Sequence, residues 1–381
     1  MSRLQFTLSI RAKYEGKQPK FCYAVTGTSG KTSVCYFLFQ LFDLLGYKAA
    51  YIGTLGIYNN VGCKTSVISD LTTLSPENLH KTLAELDDAG VTHVAIEASS
   101  HGLDQYRLHG VRLHAVGFTN LSRDHLDYHP DMQSYFAAKK RLFTDFSPKI
   151  AVTNVQDVYS QRLTATDQFG KGTPYYYQDG KIWICGNSVD IDKLQIFGEF
   201  QYSNICCAMA MLPEAQEKAQ ILLPKLKPVP GRFEKISNNP QVIVDYAHKP
   251  EAMRTVLENL RQHTKGRIIT VFGCGGDRDA GKRSIMGNIA QELSEVVVVT
   301  DDNPRFEEPA IIRKQILKGC MNAIEIDSRD SAIQYAITLA KPEDSVAILG
   351  KGQEKFQKIK HMILPFDDVE VARQALAHAV C

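Results

Sequence analysis

Thr26, Gly27, Thr28, Ser29, Gly30, Lys31 and Thr32 follow directly on an apolar run at 21–25. This order of glycine, hydroxyl and ammonium groups suits a nucleotide phosphate. Backbone N–H groups at a helix N-terminus point at an anion, the Lys31 ammonium can reach the outer phosphates, and the Thr32 hydroxyl can ligate an accompanying Mg²⁺. The generic spacing G-x-x-x-x-G-K-[ST] would place its first glycine where this chain has Val25. The reading therefore rests on the shorter core and its context, a strand at 21–25 and an amphipathic helix at 34–45.

Other chemistry-bearing residues fall at the ends of further strand-like runs, where open α/β sheets bind ligands. Glu97 closes the run 93–96 and offers a hard oxygen ligand facing the phosphate loop. Residues 119–129 pack an amide, two carboxylates and the histidines His125 and His129 into one short loop, a density unusual for a mere connection. Lys139 has nothing local to distinguish it from Lys140 and reads as part of a solvated helix face. In the C-terminal half, Asp245 to His248, Gly273 to Asp279, Asp301 to Arg305 and Gly350 to Glu354 end four successive runs. Glycine there lets a ligand approach the backbone, and Arg278 with Arg305 can clamp carboxylates.

The elements that position these residues alternate. Runs 49–52, 93–96, 115–118 and 150–153 read as strands, and 76–89 and 132–143 as helices, which predicts a largely parallel sheet. Residues 173–187 read as a hairpin or an irregular insertion. The proline-rich 223–233 reads as a linker, with Pro228, Pro230 and Gly231 as a hinge. Strands at 242–244, 268–272, 296–300 and 345–349 then alternate with helices at 251–263, 282–293, 309–320 and 331–341, a second and smaller doubly wound domain.

The 381 residues carry 44 basic against 42 acidic side chains, which gives no bulk reason to expect nucleic acid or an anionic membrane as partner. Nine cysteines without paired C-x-x-C spacing predict reduced thiols, mostly buried. The absence of a long apolar stretch predicts a cytoplasmic enzyme acting on small molecules.

In order and approximate spacing, the phosphate loop, EASSHGLDQYR, TNLSRDHLDYH, YFAAKKRLF, GRFE, DYAHKP, FGCGGDRDAGKR, DDNPR and GKGQE resemble the Mur ligases, from about residue 21 to the C-terminus. The fold implied is α/β: a central P-loop ATPase-type domain with a mostly parallel sheet (21–228, after an extension at 1–20) and a C-terminal Rossmann-like doubly wound domain (229–381). The resemblance implies ATP-driven amide formation in peptidoglycan precursor synthesis. In that reaction meso-diaminopimelate is added to the D-glutamate of UDP-N-acetylmuramoyl-L-alanyl-D-glutamate through an acyl phosphate. It implies that Thr26 to Thr32 bind the phosphates and that Thr32 and Glu97 hold one Mg²⁺, with His125 by a second. It also implies a carbamylated Lys139 helping to hold the metal, against the bland reading of that residue above. Asn204, Arg232, Asp245 and His248 match positions that meet ATP. Thr72, Thr73, Ser99, Gln105 and Arg107 match the nucleotide-peptide site. Arg278, Asp302, Asn303, Pro304, Arg305, Gly350 and Glu354 match the diaminopimelate pocket. Lysine-adding relatives replace the arginine of DDNPR, so Arg305 favours the substrate with the distal carboxylate.

Departures accompany the match. Only 26 residues precede Gly27, fewer than the roughly 50 of a small domain, so the family's UDP-gripping domain has no counterpart and weakened binding of the nucleotide sugar is expected. Ser29, Leu71, Gln201, Lys249 and Gln353 stand where the family usually has other residues. A ligase acting on a UDP-free muropeptide or other peptide acid, or an idle nucleotide-binding remnant, are the alternative readings.

Overall fold

The computed structural model describes residues 2–67 and 71–379. The chain divides into two compact units, Met1–Lys227 and Pro228–Cys381.

The first unit is built on β1 (Phe21–Thr26), β2 (Ala49–Gly53), β3 (Gly56–Asn59), β4 (His93–Glu97), β5 (Leu113–Phe118), β6 (Ile150–Asn154) and β7 (Asp167–Phe169). They form one sheet in the order β3-β2-β4-β1-β5-β6-β7. Every pair is parallel except the β2–β3 edge hairpin. The central strands β2 and β4 are buried along their whole length, as expected of strands covered by helices on both faces. The chain leaves β1 toward β2 and leaves its neighbour β4 toward β5, in opposite directions, which opens a crevice at the carboxyl ends of these two strands. Helix α1 (Arg3–Lys13) precedes the sheet and is closed by a Ser2/Gln5 capping box. Helix α2 (Lys31–Leu44) starts directly after the β1 loop and buries Val34, Cys35, Phe37, Leu38, Leu41 and Phe42.

Helices α3 (Pro76–Asp88), α4 (Ser100–Asp104) and α5 (Met132–Thr144) begin at the side-chain caps Ser75, Ser99 and Asp131. Helix α6 (Glu199–Met211) has no expectation behind it in the sequence. Residues 204–211 are all buried, so it lacks the polar face that periodicity detects. Residues 173–187 resolve into β8 (Tyr175–Gln178), β9 (Lys181–Ile184) and β10 (Asn187–Asp190), a three-stranded antiparallel sheet.

The second unit carries β11 (Glu234–Asn238), β12 (Gln241–Asp245), β13 (Ile268–Phe272), β14 (Val296–Val299), β15 (Ile324–Glu325) and β16 (Ser345–Leu349) in the order β11-β12-β16-β13-β14-β15. Only the β11–β12 pair is antiparallel. Beneath the end of β16, Arg329 donates to both Asp368 oxygens at 2.7 and 2.6 Å and to the Leu349 carbonyl at 3.0 Å, with both ionic groups fully buried. A hairpin of β17 (Phe356–Ile359) and β18 (Met362–Pro365) follows. The proline-rich stretch holds the boundary between the two units, at 227/228, as a linker should, although its apolar residues Leu223, Leu226, Val229 and Phe233 are buried.

Among the described residues, eight cysteines are free thiols; Cys63 is half-buried, Cys185 is exposed and the other six are buried. Cys381 lies outside the described residues. No described helix is long and apolar enough to cross a membrane.

Candidate active site

The phosphate loop is held by the segment that leaves β5. Thr28 N donates to Asn120 O at 2.9 Å, Ser29 N to Asn120 Oδ1 at 3.0 Å, and Thr119 Oγ1 to Ser29 O at 2.6 Å. Two glycines permit this approach. A Cβ on Gly27 would lie 1.8 Å from Thr119 Oγ1, and one on Gly30, which has φ +85°, would lie 2.6 Å from Asn204 Oδ1. Asn204 of α6 is thus brought to the loop, with its amide donating to Gln201 at 3.0 Å.

Two lysines converge on one acceptor. Lys31 Nζ donates to the carbonyls of Gly27 and Thr28 at 2.8 and 2.9 Å, and Lys139 Nζ, 1% exposed, donates to the same Gly27 oxygen at 2.7 Å. Lys139 also lies 4.5 Å from the Tyr135 ring centroid, and the Tyr135 hydroxyl is 3.1 Å from Thr28 Oγ1. The solvated-face reading of Lys139 is corrected here: α5 turns it inward beside the phosphate loop.

Glu97 is fully buried at the end of β4. Its Oε2 accepts from Thr32 Oγ1 at 2.9 Å, and its Oε1 accepts from Thr54 N at 2.8 Å and from the Tyr51 hydroxyl. Burial, then the carboxylate itself, pushes the Tyr51 phenol well up, so it stays a donor. No group of three or more His, Cys, Asp or Glu side chains gathers as a metal cage among the described residues. One carboxylate beside one hydroxyl is instead a donor set that fits Mg²⁺, which keeps waters and nucleotide phosphate oxygens as further ligands. His125 lies in a left-handed turn (φ 53°) with Nε2 3.3 Å from Asp124. Its ring packs at 4.9 Å from His101 and 5.9 Å from Tyr135.

Thr72, Thr73, Ser99, Gln105 and Arg107 form one connected group on the same edge. Thr73 Oγ1 donates to the Glu97 carbonyl and accepts from Ser99 N, both at 2.8 Å. Arg107 donates to Thr73 O at 2.8 Å and to Gln105 Oε1 at 2.7 Å. Thr72 meets Thr54 at 3.1 Å, so this group and the Glu97 carboxylate share a partner.

In the second unit, Asp245 ends β12 and spends its two oxygens on backbone amides, Phe233 N at 2.6 Å and Ala247 N at 2.7 Å. Burial pushes its carboxyl up, against the nearby Arg232. Arg232 stacks at 4.3 Å over the Tyr246 ring. His248 Nδ1 donates to Tyr246 O at 2.8 Å. Burial, followed by the Lys249 and Lys282 ammonium groups, pushes its ring down to about 3, so it is neutral at physiological pH.

Arg278 and Arg305 flank Gly275, whose added Cβ would lie 2.7 Å from Arg305 Nη1 and 3.8 Å from Arg278 Cγ. Arg305 adopts φ 52°, and its backbone is tied to β17 and the following turn through Lys358 O and Lys360 N. Its Nη1 donates to Gly276 O at 2.8 Å. Asp302 and Asn303 are buried, and Asn303 Nδ2 donates to Glu354 Oε2 at 2.8 Å. Pro304 O lies against Gly276, and Gly350 faces Asp302 Oδ2.

The Mur ligase middle domain matches residues 25–212, and the Mur ligase glutamate ligase domain matches residues 231–352. The UDP-N-acetylmuramoyl-L-alanyl-D-glutamate--2,6-diaminopimelate ligase of Brucella melitensis is 43% identical over 96% of this chain and 80% of its own length. The enzyme of the same name from Mesorhizobium japonicum is 44% identical over 98% and 82%. The chain belongs to the Mur ligase family. A solved structure titled as a UDP-N-acetylmuramoyl-L-alanyl-D-glutamate--2,6-diaminopimelate ligase superposes on this Mur ligase with TM-score 0.67 at 32% identity, covering 98% of this chain and 82% of that one. Mycobacterium tuberculosis folylpolyglutamate synthase, solved with ADP and AMPPCP, shares the fold at TM-score 0.71 and 16% identity, covering 98% of this chain and 94% of that one. Like its family, this Mur ligase is an ATP-dependent acid–amino-acid ligase. The α/β expectation with two mostly parallel sheets holds.

Sequence reasoning passed over several residues around these sites. Tyr51 and Thr54, which bind Glu97, lie on an apolar strand and its turn. Tyr135 stands inside an ordinary helix pattern. Lys351 sits in a glycine turn. Each is positioned by tertiary contacts, and none has a local signature.

Proposed function

We propose that this protein joins meso-diaminopimelate to the D-glutamate side-chain carboxylate of UDP-N-acetylmuramoyl-L-alanyl-D-glutamate at the expense of ATP. The observation that carries the reading is the second-unit pocket: Arg305 held in a left-handed turn beside Arg278, with the carboxylates Asp302 and Glu354 close to Asn303. Such a pocket suits an amino acid with a second, distal carboxylate, which lysine lacks.

A carboxylate is a poor acyl donor because its leaving group would be oxide. The glutamate oxygen attacks the γ-phosphorus of ATP, ADP departs, and an acyl phosphate remains. The diaminopimelate amine attacks its carbonyl carbon, loses a proton, and expels inorganic phosphate. Lys31 and the α2 N-terminus bind and orient the phosphates, and positioning with charge neutralisation supplies most of the rate. Mg²⁺, held by Thr32 and Glu97, would supply charge neutralisation at the transferring phosphoryl group. Thr72, Thr73, Ser99, Gln105 and Arg107 would hold the acceptor peptide. Asn204, Arg232, Asp245 and His248 would meet the nucleotide.

Lys139 as a carbamate is supported by its surroundings. An unmodified ammonium shares the Gly27 carbonyl with Lys31, and two like charges on one oxygen repel. Carbamylation replaces that repulsion with attraction and provides an anionic oxygen ligand. His125 by a second ion, and domain bounds at 21–228 and 229–381, belong to the same reading.

The test is phosphate release from ATP with UDP-N-acetylmuramoyl-L-alanyl-D-glutamate and either meso-diaminopimelate or lysine. Release that requires the UDP-linked acceptor and diaminopimelate is the expected result. Release with lysine alone refutes the amino-acid assignment. Release only with an acceptor lacking UDP refutes the nucleotide-linked one.

A further inference from the structure

The two loops that supply most of the proposed amino-acid pocket come from strands that are not neighbours. β13 lies between β14 and β16, and the loops after β14 and β16 meet across its end. Gly273, the first residue after β13, leaves the room: a Cβ there would lie 2.3 Å from Thr300 O and 2.9 Å from Asp302 N.

Lys351 bridges the two loops. Its side chain is fully buried, and Nζ donates to Asn303 Oδ1 at 3.1 Å and to Glu354 Oε2 at 3.3 Å, with Asp302 Oδ1 at 3.6 Å. Asn303 Oδ1 also accepts from Lys358 N at 2.8 Å, and Asn303 Nδ2 donates to Glu354 Oε2. The amide can therefore satisfy these partners in one orientation only. Without the ammonium, Asp302 and Glu354 are two carboxylates that have lost their shared cation, and Glu354 is the more exposed of the two, at 21% against 8% of the side chain. A buried ammonium is costly to desolvate, and apolar replacements of such clusters are often no less stable. Stability alone is then a weak reason for this lysine.

We propose that Lys351 is a positioning residue for the amino-acid pocket: its ammonium fixes Asp302, Asn303 and Glu354 in the arrangement that receives a zwitterionic amino acid. Lys351 does not itself touch the substrate. The inference rests on the pocket assignment above.

The test is steady-state kinetics of Lys351→Met in the full chain. KM for meso-diaminopimelate is expected to rise about 10- to 100-fold, the weight of one or two charge-assisted hydrogen bonds, with KM for ATP unchanged. A purely structural role would move both constants or lower only the active fraction and hence kcat. An unchanged diaminopimelate KM, or a parallel rise for ATP, overturns the inference. If the wild-type protein itself releases no diaminopimelate-dependent phosphate, the pocket assignment is what fails. Should the far-UV spectrum show that Lys351→Met does not fold, the double variant Lys351→Met/Glu354→Gln, which loses a carboxylate with the ammonium, is compared with Glu354→Gln. A higher diaminopimelate KM in the double variant supports the inference, through Asn303. Equality overturns it, and loss of fold in both makes Lys351 structural and overturns it as well.

Discussion

The carboxyl edges of the two sheets are both lined with charge, yet they handle it in opposite ways. In the first unit, Lys31 and Lys139 rest on backbone carbonyls, and the buried Glu97 is bonded to Thr32, Thr54 and Tyr51. In the second, the buried cation Lys351 is matched by side-chain anions, and Arg329 by Asp368 beneath it. An edge whose phosphate-loop ammonium, Lys31, rests on dipoles suits a polyanion that brings its own charge. An edge with internally matched ions suits a zwitterion whose charges must be placed in register.

The comparison can be broken most severely in the second unit. Asp368→Asn leaves Arg329 buried beside a neutral amide and is expected to cost about 3–5 kcal/mol of stability, measured by denaturant unfolding. A loss under about 1 kcal/mol would mean that the matched-ion description is wrong. Lys31→Met should act the other way, lowering turnover about 10²–10³-fold with little change in unfolding midpoint.

A third test concerns pH. His93 is buried in the first-unit sheet, stacked 4.1 Å from Tyr47, and burial followed by His114 and Lys20 pushes its ring down to about 4. The unfolded chain therefore binds the proton more readily between about 4 and the ordinary 6.5. Stability is full above pH 6.5 and falls as pH drops toward 4, by up to about 3 kcal/mol. His93→Phe should flatten this slope in pH-dependent unfolding. The smallest effect sharpens the contrast at the pocket. Arg305→Lys exchanges a fork for a point charge and should lower the preference for diaminopimelate over lysine about 10-fold or somewhat more, read as a ratio of kcat/KM values.

Strand-forming runs that end in glycine, carboxylate or amide were legible in the sequence, because a buried parallel strand is a short apolar run and its end is polar. That logic reached the phosphate loop, Glu97 and the four C-terminal loops. It failed for α6, whose burial on nearly every side erases helical periodicity, and for the three-stranded sheet at 175–190, whose short strands carry mixed side chains. Lys139 shows the limit most clearly: its neighbour Lys140 is exposed while Lys139 is 1% exposed, and only the packing of α5 separates them. The resemblance to a family supplied what local chemistry could not, and still passed over Tyr51, Thr54 and Lys351, which act on other side chains.

Gly273 has a practical meaning for anyone wishing to retarget this ligase. The proposed amino-acid pocket is assembled around the end of β13, where Gly273 gives the β14 loop room to pass before the chain continues to Arg278, so a single methyl group there would drive into the backbone of the β14 loop. Libraries that vary the β14 and β16 loops while keeping position 273 as glycine can explore new amino-acid substrates on an intact foundation. Libraries that touch it would lose the shared floor on which any such pocket must stand.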